Sequence, residues 1–317
     1  MWVSLALLLL GVLASLAAPR LLTRAEWAER EPVVALWVWQ CVVAAVLLSF
    51  ALSMTFSAST AWQAVRGQLF APAPHAVVEA YELGTSGPWS AVLAVVLACG
   101  GLWSGAMLGR EIGQARARRV RRHRDLLVRA PRLPGERPDG DRLVVLEGER
   151  ADAWWQPGTP PRLVITTAAL RRLKGRQLDA VLAHEQGHAR ARHHWLLHCS
   201  AALAGGFPGI PVFTAFRDEM HRLVELAADD VASRRFGRLT IALALVELNE
   251  DRGVFGPGAG TGPGAGTDAG LPQRVHRLLT ATPRLTAGRR LRLTATAALV
   301  PVVPLLVALA PALTTLG

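Results

Sequence analysis

The stretch VLAHEQGHARARHH, residues 181–194, decides how the rest of the chain is read. It sets His184, Glu185 and His188 in the spacing His-Glu-x-x-His, with His193 and His194 close behind. Leu178, Val181, Leu182 and Gly187 or His188 recur on successive turns of one side. The spacing therefore predicts a helix over 176–194, opened after Gly175, whose apolar stripe and histidines share a partly buried face. Residues i and i+4 of a helix are about 40° apart and one turn removed, so His184 and His188 project side by side and can reach one metal ion. Glu185 lies about 100° round from His184. It sits beside such an ion rather than on it, where a base must be placed to take a proton from an activated water.

A catalytic zinc takes three protein ligands and keeps one position open. His194 offers the right atom, but a continuing helix carries it about 120° round from His188 and about 9 Å along the axis. The spacing from His184 to His194 resembles that of the metzincins, but those enzymes turn the chain back at a glycine where Ala191 stands here. His193 falls on the opposite side from His184. Both histidines are expected at a membrane interface, beside Trp195. The other candidate is Glu225 in ELAADD (225–230), on a second expected helix, 217–237, with Asp229 one turn later on the same face. Glu225 would be the third ligand. Asp229 would accept a hydrogen bond from a ligating histidine and fix its tautomer. A Glu/Asp pair on a helix is ordinarily a solvated face; the upstream His-Glu-x-x-His is what raises this one above that reading. A closed structural site would need a fourth ligand, for which His221, one turn before Glu225, is the nearby candidate.

Around this centre the 317 residues are 51% hydrophobic, high for a wholly soluble chain, and the apolar residues are clumped. Residues 1–18, 33–56 and 88–109 carry no charge and are each about long enough to cross a bilayer. A fourth such stretch, 293–316, contains three prolines, which membrane helices tolerate. The first stretch ends in ASLAAP, as a cleaved signal peptide can, but no Lys or Arg precedes its apolar run, which favours a retained helix. The net charge of +11 is concentrated in nine arginines between Arg110 and Arg132, directly after the third apolar segment. No aromatic residue is interleaved with them, so the run reads as a cytoplasmic stop signal touching anionic headgroups, with no direct nucleic-acid binding expected. The positive-inside rule then puts both termini outside and residues 110 to about 290, including the histidines, in the cytoplasm. Cys41, Cys99 and Cys199 sit in apolar surroundings with no metal or disulfide spacing.

The expected organisation is three transmembrane helices over 1–110 and a basic juxtamembrane linker over 111–141. A mixed α and β zinc domain follows over 142–252, opening with short strands at 142–149, 151–156 and 161–167 and a short helix over 167–173. Within it, 195–216 is apolar enough to suggest another crossing but is interrupted by GGFPGIP. A single crossing would put Glu225 on the opposite side from His184, so this stretch is expected to dip in and return, or to pack under the domain. A Gly-rich flexible loop, 253–270, a short helix and basic segment, 271–290, and a fourth transmembrane helix, 291–317, complete the chain.

VLAHEQGHARARHH followed by ELAADDVAS resembles the pattern His-Glu-x-x-His … Glu-x-x-Ala-Asp of the membrane-embedded gluzincins. These include the HtpX-type proteases, the CAAX prenyl-protein proteases and the BlaR/MecR sensor proteases. DAWWQPGTPPRLVITTAALRRL (152–173) is similar to the strand, loop, strand and helix before the zinc helix in that group, where an edge strand pairs with extended substrate. Three apolar segments before the zinc domain and one after resemble the BlaR/MecR type. The resemblance implies four transmembrane helices with a cytoplasmic α+β minigluzincin-like domain. It implies Zn2+ held by His184, His188 and Glu225, with Glu185 as the base and Asp229 behind a ligand. The implied activity is that of a zinc endopeptidase on a protein or peptide substrate at the cell membrane, such as a cytoplasmic transcriptional repressor or the chain itself. Membrane-protein quality control and a non-catalytic receptor with structural zinc are the alternatives. The penicillin-binding domain of the sensor proteases has no counterpart in these residues, so sensing is expected to work by another route.

Overall fold

The computed structural model describes residues 2–66, 143–156, 162–250, 270–280 and 283–314, with scattered positions between 96 and 121. The third apolar segment, the basic linker and the Gly-rich loop lie largely or wholly outside the described residues. The protein is mostly helical, with one small sheet.

Helix α1 (Trp2–Leu22), the single turn α2 (Trp27–Arg30) and helix α3 (Pro32–Arg66) open the chain. Gly11 lets α1 approach α3 closely, since a Cβ there would lie 3.2 Å from Ser49. Ser53 donates across the pair to the carbonyl of Ser4 at 2.8 Å, which satisfies a buried hydroxyl. Strands β1 (Leu143–Leu146), β2 (Ala153–Gln156) and β3 (Arg162–Thr166) follow in the order β1-β3-β2, with β1 parallel and β2 antiparallel to β3. Leu163, Val164 and Ile165 are all buried, as expected of a central strand covered on both faces, and β2 is left as an edge. Thr166 ends β3 and caps helix α4 (Thr167–Arg172), accepting from the amide of Ala169 at 3.2 Å.

The next four helices are α5 (Arg176–Arg190), α6 (His193–Gly206), α7 (Pro211–Phe236) and α8 (Arg238–Asn249). After them come α9 (Leu271–Leu279), α10 (Ala287–Leu299) and α11 (Val302–Thr314). Three helical stretches, Trp2–Leu22, Pro32–Ala58 and Ala287–Pro311, are long and apolar enough to cross a membrane, which makes this a membrane-embedded protein.

Three boundaries differ from the expected ones. The helix foreseen over 176–194 stops at Arg190, and Arg192 takes a left-handed φ of 53° before α6 begins. That conformation costs a non-glycine residue about 1–2 kcal/mol, and here it redirects the chain. The second helix starts at Pro211 rather than at 217, because a proline at the first helical position loses no needed donor. The last apolar stretch is two helices, since Pro301 supplies no amide and the amide of Val300 reaches back to Ala297.

A shared core joins the membrane-length helices to the rest. Val212, Phe213, Phe216, Met220, Leu223 and Val224 of α7 cluster with Trp39, Val43 and Val46 of α3. Residues 195–216 therefore turn back at 207–210, and the returning arm, the start of α7, lies along α3.

Candidate metal centre

Helices α5 and α7 cross at small residues. A Cβ on Gly187 would lie in ordinary contact, 3.5 Å from Val231 and 3.6 Å from the Cα of Ala228, so the two helices pack closely here. The approach brings the 184/188 face of α5 against the 225/229 face of α7. His184 Nε2 lies 3.2 Å from His188 Nε2 and 3.4 Å from Glu225 Oε2, and His188 Nε2 lies 3.4 Å from Glu225 Oε1. Two zinc–ligand bonds of about 2.0 Å at a tetrahedral angle separate their donors by about 3.3 Å. The spacing and chemistry of the three side chains thus fit a zinc ion. They form a group that could hold one, with every ligand atom within 4.8 Å of the others. His221 lines the same cleft but does not belong to that group.

Asp229 is fully buried, and its Oδ1 lies 3.0 Å from His184 Nδ1. An acceptor on Nδ1 leaves the Nε2 lone pair of a neutral imidazole free for a metal. The pKa of His184 is pushed up to about 10, towards the charged ring. Burial works against that charge, but the hydrogen bonds to Asp229 and Glu225 and their negative charges outweigh it. A metal and this proton compete for one atom. His188 goes the other way, down to about 4, chiefly through burial. Burial favours the neutral acid at Glu225 and Asp229, yet the nearby Arg274 and His184 hold both carboxyls below the usual range.

Glu185 stands outside the ligand triangle. Its Oε2 accepts from the amide of Trp155 on the edge strand β2 at 3.0 Å. Burial pushes its carboxyl up to about 7, opposed by the charge on His184 and by the Trp155 amide. His184, Glu185, His188, Glu225 and Arg274 line one cleft of about 1000 Å³, walled by Trp154, Trp155, Leu245 and Leu248, with Asp229 buried behind it.

Residues 114–205 match the model of Peptidase family M48. The match includes both histidines and Glu185 and ends before α7, so Glu225 and Asp229 enter the centre on geometry alone. No curated protein and no solved structure matches the chain. The M48 likeness associates this stretch with metal-dependent peptidases, and the donor set beside it is of the kind such chemistry requires.

Two residues of the centre were not anticipated from sequence. Arg274 of α9 donates from Nε and Nη2 to the two Asp229 oxygens at 2.8 and 2.7 Å, and its Nη1 lies 2.9 Å from Glu225 Oε2. One guanidinium fork thus holds both carboxylates. The buried Asp229 and half-buried Glu225 on one helix face imply a counter-charge, but nothing local says that it comes from LPQRVHRLL (271–279). His193 is the second. Expected on the opposite side of a continuous helix from His184, it is instead buried with Nδ1 3.1 Å from His188 Nδ1. The turn at Arg192 swings it there, which a continuous helix could not do.

Proposed function

We propose that the protein is a membrane-anchored zinc endopeptidase. The observation that carries this reading is the triangle of two imidazole nitrogens and a carboxylate, with the part-buried carboxylate of Glu185 beside it, outside the triangle. Zinc held by His184, His188 and Glu225 would polarise a peptide carbonyl and activate water at neutral pH. Glu185, held by the Trp155 amide, takes a proton from the attacking water and delivers it to the leaving amine. The open side of β2 borders the same cleft and offers backbone groups to an extended substrate. Glu185→Gln should lower cleavage by about 10²–10⁴-fold while zinc stays bound; cleavage persisting at the wild-type rate would refute this mechanism.

The arrangement of apolar segments, three before the zinc domain and one after, supports a sensor-protease role at the cytoplasmic face. The substrate in that role is a transcriptional repressor or the chain itself. Quality control of membrane proteins uses the same site chemistry. Trapping with the Glu185→Gln chain separates the two, since a sensor captures one regulator and a quality-control enzyme captures a heterogeneous set.

A further inference from the structure

We propose that residues 193–216 form a re-entrant hairpin that enters one leaflet of the bilayer, so that the partner of its outer face is lipid hydrocarbon. Three observations carry this, and none depends on the peptidase reading.

The first is charge. Between Arg192 and Arg217 there is no Lys, Arg, Asp or Glu, whereas Arg190, Arg192, Arg217 and Asp218 mark the two ends. The exposed residues of the arms, Trp195, His198, Cys199, Ala201, Gly205 and Thr214 among them, include no Lys, Arg, Asp or Glu. Trp195 is 59% exposed beside the basic end of its arm, the position of an interfacial aromatic anchor. His198 follows about one turn further, within reach of the headgroups.

The second is depth. Two contacts fix the register of α7 against α3: Arg222 lies 3.3 Å from Glu29, just before α3, and the ring of Phe216 lies 6.2 Å from that of Trp39 inside it. The helices therefore run antiparallel, and going from Arg222 back to Pro211 descends alongside α3. Those eleven residues span about 16 Å, close to the roughly 15 Å of one hydrocarbon leaflet. Phe207 and Ile210 at the tip pack into the cluster that contains Val46, Leu47 and Phe50 of α3. Because α3 is itself a candidate span, a hairpin at that depth shares its solvent.

The third is that most amides of the turn are either paired or absent, as a segment in lipid requires. The amide of Phe207 donates to Leu203 at 2.9 Å, that of Ile210 to Phe207 at 3.3 Å and that of Phe213 to Ile210 at 3.1 Å. Pro208 and Pro211 have no amide to satisfy. Gly206 is covered by Leu108, 3.1 Å from where its Cβ would be.

The hairpin also sets the height of the metal centre. His193, the first residue of its entering arm, touches His188, and Glu225 stands one turn above Arg222. The centre is thereby held at the level of the lipid headgroups.

The test uses the full-length Glu185→Gln chain in phosphatidylcholine/phosphatidylglycerol vesicles, so that autolysis and activity play no part. Nitroxides are placed at Cys199, at Gly205→Cys and at Asp218→Cys, with the other cysteines removed, and collisions with oxygen and with a water-soluble nickel chelate are measured. The expected result is oxygen-rich, nickel-poor behaviour at 199, deeper at 205, and free nickel access at 218. Nickel access at 199 and 205 equal to that at 218 overturns the proposal, because the hairpin is then in water. Low collision with both agents at 199 and 205 also overturns it, because the face is then covered by protein. Should the variants misfold, peptide mapping of the unmodified chain after treatment with a membrane-impermeant maleimide decides the matter. Loss of Cys199 labelling in vesicles, restored in denaturing detergent, supports insertion, and labelling equal in both contradicts it.

Discussion

Helices α5 and α7 face each other across the metal centre, but they secure their chemistry differently. On α5 the two histidines follow from local spacing, and their supports are near: His193 lies five residues beyond His188, and the neighbouring edge strand holds Glu185. On α7 the carboxylates depend on α9, from which Arg274 grips Glu225 and Asp229 while Arg277 reaches Asp230 at 2.8 Å and the Glu29 carbonyl at 2.7 Å. The imidazoles are set side by side by local spacing, although Asp229 of α7 stands behind His184, whereas the carboxylates lean on α9. Through α9 they are tied to the segment that leads into α10 and to the connection between the first two membrane-length helices.

The difference can be broken at its strongest point first. Arg274→Ala leaves the fully buried Asp229 without its cation and should destabilise the protein by about 3–5 kcal/mol, read as a lowered unfolding midpoint in detergent. A loss under about 1 kcal/mol would mean that α9 is not what holds the carboxylates. Next come the supports behind each half. Asp229→Asn and His193→Ala should each weaken zinc binding by about 10–100-fold in a chelator competition, and His193→Ala without effect would make that contact incidental. Outside the centre, Thr166→Ala removes the cap of α4 and should cost about 1 kcal/mol in denaturant unfolding with zinc affinity unchanged. The smallest effect belongs to Arg222→Ala. Its pairs with Glu219 at 2.8 Å and with the largely exposed Glu29 are partly solvated, so stability should move by less than about 1 kcal/mol.

What could be read in the sequence followed the same division. His184, Glu185 and His188 are legible because a helix converts a four-residue spacing into adjacency, and ELAADD repeats that logic on the opposing helix. The need for both to meet predicted that 195–216 turns back, which the hairpin at 207–210 does. Arg274 was illegible because its partner is 45 residues away and no periodicity links them. His193 was misplaced because its position depends on one left-handed residue, Arg192, whose type gives no hint of a turn.

The central claim is that one zinc is shared by His184, His188 and Glu225. Metal analysis of the full chain purified in detergent tests it most directly, comparing wild type, Glu185→Gln and Glu225→Ala after dialysis against a weak chelator. The account predicts one zinc per chain in the first two and none in the third. Zinc retained at wild-type stoichiometry by Glu225→Ala would contradict it.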